Sequence, residues 1–113
     1  MRPALIAFLV AAACGGSSGP PSSATFQLNS SGVTPVTVDI ASGGSVSFTN
    51  KDAAAHQIAS SDCPELNSSS LANGDSFSAF IGGPKTCHFN DSLNASNAAF
   101  NGTVNVAAPA PGY

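Results

Sequence analysis

Cations are the scarcest component of this sequence. Three Lys and Arg stand among 113 residues against six acids, and charged residues together make up 8%. A surface so poor in positive charge cannot neutralise phosphates, which excludes nucleic-acid binding and electrostatic attachment to anionic lipid. Tryptophan is absent, methionine occurs only as Met1, and histidine occurs twice, as His56 and His88. The six carboxylates are scattered, and no His–Asp pair has a readable spacing to a hydroxyl nucleophile. No catalytic constellation can be assembled from them, so the expectation is that the chain is not an enzyme. A stretch with the helical apolar period is missing as well, which leaves no credible helix longer than a turn or two.

The only long apolar run is Ala4 to Ala13, ten residues following Arg2, too short to span a bilayer as a helix. That build is a secretory signal over residues 1–13. The stretch "VAAACGG" resembles the lipobox of bacterial lipoproteins, where cleavage just before a cysteine frees it for acylation; that cysteine would be Cys14. Ala11 and Val10 stand where the motif usually has Leu. The resemblance implies export to a bacterial cell envelope, periplasm or surface, with a lipid anchor on Cys14 and the membrane as a partner. Residues 14–24 then read as a flexible tether, residues 25–107 as one domain, and residues 108–113 as a disordered tail. Loss of Arg2 leaves Lys51 and Lys85 against six acids, a formal charge of -4. Five Asn-X-Ser/Thr sites, at Asn29, Asn67, Asn90, Asn94 and Asn101, would be glycan acceptors in a eukaryotic secreted protein; beside a lipobox they read as part of a Ser- and Asn-rich surface.

With Cys14 acylated, Cys63 and Cys87 remain as an even pair in an oxidising compartment, where a disulfide is the default. From Thr25 onward the apolar residues alternate with period two. Phe26 and Leu28 form a first run, Val36, Val38 and Ile40 a second, Val46 and Phe48 a third, and "HQIAS" a fourth. After a patternless loop, Phe77, Ala79 and Ile81 alternate again, Cys87 shares a face with Phe89, and Val104 and Val106 close the chain. Seven short strands parted by Gly, Pro and Asn turns predict an antiparallel β-sandwich.

The order of motifs resembles one family. "VTVDIASGGSVSFTNKDAAAH" is similar to the cupredoxin opening, in which a strand, a Gly turn and a strand ending in Phe-x-Asn lead to the first copper-ligating histidine, here His56. "LANGDSFSAFI" looks like the family's Gly-Asp turn and strand, and "FNGTVNV" like its closing strand. The resemblance implies a seven-stranded Greek-key sandwich, a copper cofactor, and electron transfer with a redox or envelope protein partner.

A blue-copper centre needs a thiolate, two imidazoles and usually a weak thioether. A full set would therefore require His56, His88 and Cys87 together, yet Cys87 and His88 are strand neighbours whose side chains should leave opposite faces. Counting from Thr86, the thiolate of blue-copper relatives falls at Asp91, and Phe100 occupies the usual place of the axial Met. "TCHFNDSLNA" is similar to a cysteine-less closing pattern of some cupredoxin-like domains, with Asn90 and Ser92 standing where its two histidines would be. The resemblance thus implies a metal site whose positions 90, 92 and 100 have eroded. His56 is left either as a ligand assisted by Asp91 or as a histidine satisfied by Asn90 or Ser92 at the mouth of the sandwich. For Cys87 the readings are a copper thiolate or a disulfide to Cys63, which the family's loop path would bring into range. The expectation is an envelope lipoprotein of cupredoxin type with a degenerate metal site and residual copper binding. The alternatives are a working copper carrier with atypical ligands, using His56 with Cys87, His88 or Asp91, and a structural or interaction module.

Overall fold

In a computed structural model, residues 19–110 are described; the signal segment and Cys14 lie outside them. The period-two segments form strands β1 (Ser23–Asn29), β2 (Gly32–Thr34), β3 (Thr37–Ile40), β4 (Gly44–Asn50), β5 (Ile58–Ala59), β6 (Ser76–Ile81), β7 (Lys85–Asp91) and β8 (Gly102–Val106). They make two four-stranded sheets in the orders β2-β1-β4-β6 and β3-β8-β7-β5. The other regular segments among the described residues are single 3-10 turns at Pro64–Leu66, Ser92–Asn94 and Ala98–Phe100.

Three features differ from the sequence expectation. There are eight strands, because β2 carries one apolar residue, Val33, and shows no period of its own; it pairs back onto β1 across the Ser30–Ser31 turn. The sheets are mixed and not antiparallel throughout, since β1 runs parallel to β4 and β3 parallel to β8. Alternation of apolar residues says which face a side chain takes and nothing about the direction of the neighbouring strand. The sheet also begins earlier than the expected boundary. Ser23 and Ala24, read as tether, pair with Ser45 and Val46, and Pro21 accepts a hydrogen bond from the Ala41 amide.

The core forms between the inner faces. Phe26 and Phe48 stack with centroids 5.0 Å apart, and Phe89 crosses from the other sheet to meet both edge-on at 4.8 and 5.0 Å. Opposite Phe89 in the register stands Gly102, and a Cβ there would lie 2.2 Å from the ring. The glycine is what lets Phe89 reach across.

Cys63 and Cys87 are joined by a disulfide, with Cα atoms 5.6 Å apart and both residues fully buried. It ties the patternless loop to the middle of β7, and Leu66 in the turn that follows fills the core. Closing the 24-residue separation is worth about 3 kcal/mol in the chain-entropy model. Replacing both cysteines by Ala should therefore lower unfolding free energy by about 3 kcal/mol in urea titrations. Gly102→Ala should cost about 1–3 kcal/mol by displacing Phe89.

Candidate functional site

The site lies where β4, the loop after it, and the end of β7 meet. Asn50, the last residue of β4, is completely buried, and its side chain folds the following loop. Its Nδ2 donates to the Ala54 carbonyl at 2.9 Å and the Leu71 carbonyl at 2.8 Å, while its Oδ1 accepts from the Asp52 amide at 2.8 Å. The loop is thereby bent so that Asp52 turns back toward His56, which is pinned by a backbone bridge to Leu71. The "Phe-x-Asn" ending of the strand thus has a physical purpose: an amide supplies the hydrogen bonds that the five-residue excursion to His56 leaves unmet.

His56 is buried, 1% exposed, and both of its ring nitrogens are bonded to carboxylates. Nδ1 meets Asp91 Oδ2 in a short contact, and Nε2 meets Asp52 Oδ2 at 2.9 Å. Asp91 is fully buried at the end of β7. Its Oδ1 accepts from the Gln57 and Leu93 amides at 2.9 and 3.0 Å, and its Oδ2 accepts from Asn94 Nδ2 at 2.7 Å. Phe100 lies against the imidazole with ring centroids 4.7 Å apart.

Burial opposes charge on the imidazole, but the hydrogen bonds and charges of Asp91 and Asp52 outweigh it, and the pKa of His56 is raised above 6.5. Burial likewise works against the Asp91 carboxylate, and the donors from Gln57, His56, Asn94 and Leu93 outweigh it, so its pKa falls below 3.8. The hydrogen bond from His56 also holds Asp52 below the usual carboxylate range. Below its raised pKa the imidazole is an imidazolium between two carboxylates, with every remaining oxygen lone pair on Asp91 answered by a donor.

The structure distributes the expected site residues unevenly. His56 and Asp91 are brought together, and Phe100 covers them. Asn90 and Ser92 do not satisfy His56. Asn90 faces outward by strand alternation and Ser92 is exposed, with its hydroxyl on the Gln57 carbonyl at 3.3 Å. The partners of His56 are instead Asp91 and Asp52. Cys87 is held in the disulfide, and His88 stands on the outer face with Nδ1 on Asp62 Oδ2 at 2.7 Å. Asp52 and Asn94 were not anticipated. The four-residue spacing from Asp52 to His56 carries no helical meaning in a loop, and only the hydrogen bonding of Asn50 brings the two together.

These donors do not fit copper. The imidazole of His56 has one carboxylate on each ring nitrogen, so its nitrogens are already committed, and among the described residues no thiolate or thioether faces it. Among the described residues no group of three or more His, Cys, Asp or Glu side chains is arranged to hold a metal ion.

No protein-family model matches the sequence, and no curated protein matches it. Solved structures do. The purple cupredoxin from Nitrosopumilus maritimus is 23% identical over 74% of this chain and 99% of its own, with a TM-score of 0.65. Oxidized plastocyanin from Dryopteris crassirhizoma is also 23% identical, over 74% of this chain and 100% of its own, with a TM-score of 0.58. A copper-containing nitrite reductase from Thermus scotoductus is 19% identical over 90% of this chain and 25% of its own, with a TM-score of 0.62. The fold of this chain is therefore the cupredoxin fold. Two of these neighbours are named as cupredoxin and plastocyanin and one as an enzyme, and at such identities the likeness extends to architecture alone.

Stability should peak in a window set by the buried pair. The contribution of His56, whose folded pKa is raised, is fully present below about pH 6.5 and is lost as pH rises through the folded value. That of Asp91, whose folded pKa is lowered, is present above about pH 4 and is lost as pH falls through its folded value. The thermal midpoint should be higher at about pH 5.5 than at about pH 8 or pH 3. Asp91→Asn should flatten the alkaline arm and cost about 3 kcal/mol, read by calorimetry across the same range.

Proposed function

We propose that this chain is a lipid-tethered cell-envelope protein of cupredoxin fold in which an ion pair stands where the family holds its metal. It serves as an interaction or structural module and not as an electron carrier. One observation carries the reading: the imidazole in the first-ligand position has both nitrogens engaged by carboxylates, one of them at the thiolate position, Asp91. The disulfide supports it, because the sulfur of Cys87 is unavailable and the loop bearing Cys63 is tied covalently to β7. In a metalloprotein of this fold the ion would hold such elements together; here hydrogen bonds, charge and a disulfide do so. The tether follows from the signal and lipobox-like stretch ahead of Cys14, and a module on an acyl anchor with a hydroxyl-rich surface poor in charged residues suits contact with other envelope components.

A second reading is copper binding with atypical ligands, favoured by the copper proteins among the structural neighbours and by the meeting of His56 with a carboxylate at the thiolate position. It requires His56 to release a proton and a carboxylate. Mass spectrometry of the mature chain, exported with copper supplied and weighed native and then denatured, separates the two. The proposal expects a denatured mass short by the hydrogens of one disulfide and no stoichiometric copper in the native spectrum. One copper per native chain with both thiols intact would make Cys87 a ligand and overturn the proposal. One copper with the disulfide retained would overturn it too, in favour of a non-blue site centred on His56.

A further inference from the structure

The outer face of the β3-β8-β7-β5 sheet carries a groove of about 790 Å³ that none of the His56 cluster lines. Strand register builds its floor. Thr37 on β3 stands beside Thr103 on β8, and Thr103 beside His88 on β7, so three polar side chains form a row across adjacent strands. Asn90 and Asn101 lie one step along, and Asn67 on the disulfide loop forms a wall. The loop is held there by bonds of its own. Ser60 donates to the His88 carbonyl at 2.6 Å, and Asn67 Oδ1 accepts from the Ser60 amide at 2.8 Å.

Three properties define what such a groove can hold. First, no Asp, Glu, Lys or Arg lines it, so neither an anion nor a cation finds a counter-charge. Second, its hydrogen-bonding capacity is unspent. Among the described residues no partner engages the side-chain amides of Asn90 and Asn101 or Nδ2 of Asn67. Asp62 takes Nδ1 of His88, and among the described residues no partner engages its Nε2. Third, the backbone of the floor is taken at β7 and β8. They are the central strands of their sheet, and beyond the short β5 the His88 amide and carbonyl are engaged by Asp62 and Ser60, so on these strands recognition runs through side chains. Val36, 59% exposed at the rim, and Ala59 supply apolar surface beside the polar row.

We propose that this groove binds a neutral polyhydroxylated ligand, a glycan segment of a few sugar units, with Asn90, Asn101, Thr103 and His88 as its hydrogen-bonding set and Val36 against a C–H face. The volume falls within the ordinary range for ligand sites, and alternating amides, hydroxyls and small apolar patches match the alternation of hydroxyl edges and C–H faces on a sugar ring. The proposal goes beyond the reading of the His56 site and stands whether or not that site takes copper.

The test is a two-dimensional NMR titration of the isotope-labelled mature chain with maltotetraose and, separately, chitotetraose. Saturable shifts at His88, Asn90 and Thr103 with one of these sugars at millimolar concentration are expected. Asn90→Ala and the isosteric Thr103→Val should each weaken binding about fivefold, as expected for loss of one hydrogen bond, while Gln27→Ala on the other sheet leaves it unchanged. No saturable shift at these residues with either sugar would overturn the proposal, as would shifts that neither groove variant alters. Sugar mass covalently attached at Asn67, Asn90 or Asn101 would overturn it as well, by making the groove asparagines glycan acceptors.

Discussion

A charged imidazole can be buried only if both of its N–H groups and the lone pairs of its counter-ions are answered, and at the mouth of this sandwich they are. The contact between His56 and Asp91 joins the segment after β4 to the end of β7, which belong to different sheets. Around it are arranged the Gln57, Leu93 and Asn94 donors, the Asp52 carboxylate and the Phe100 ring. Removing one partner of such a pair leaves an uncompensated charge in a poorly solvated place, which is why the pair is costly to break even where forming it contributes little net stability.

The rest of the mouth depends on that constraint. Asn50 shapes the loop so that Asp52 can reach Nε2, and the Leu71 bridge fixes the imidazole backbone. Four residues back on the same buried face of β7, the disulfide holds the long loop against the strand that presents Asp91, limiting the freedom of the end that must meet His56. Ionic and covalent links therefore act at two points along one face of one strand. Such a division suits a domain of this size, whose single core leaves little surplus stability.

Much of the fold was legible because its strands bury one face each, and a period of two in Phe26/Leu28, Val46/Phe48 and Val104/Val106 is hard to mistake. The β2 strand was hidden by its length, with Val33 alone between glycine and threonine. The parallel pairings of β1 with β4 and β3 with β8 were hidden because burial patterns do not encode direction. The disulfide was legible by counting cysteines. In the site, one reading joins His56 to Asp91 as partners at a metal, and the other gives the imidazole hydrogen bonds to Asn90 or Ser92. Strand alternation turns Asn90 away, and Ser92 is spent on the Gln57 carbonyl. Asp52 was invisible because its position depends on a loop that Asn50 folds, and hydrogen bonds of that kind leave no periodic trace. The outer groove was illegible for a related reason: its residues come from four strands and the loops beside them, which only the register assembles.

The measurement that tests the central claim most directly is the nitrogen-15 NMR spectrum of the His56 side chain at about pH 6.5, its ordinary pKa. An imidazolium between two carboxylates predicts protons on both ring nitrogens, each slow to exchange with water and coupled to a carboxylate acceptor. A neutral ring with one bare nitrogen under the same conditions would contradict the account and return that nitrogen to the list of available metal ligands.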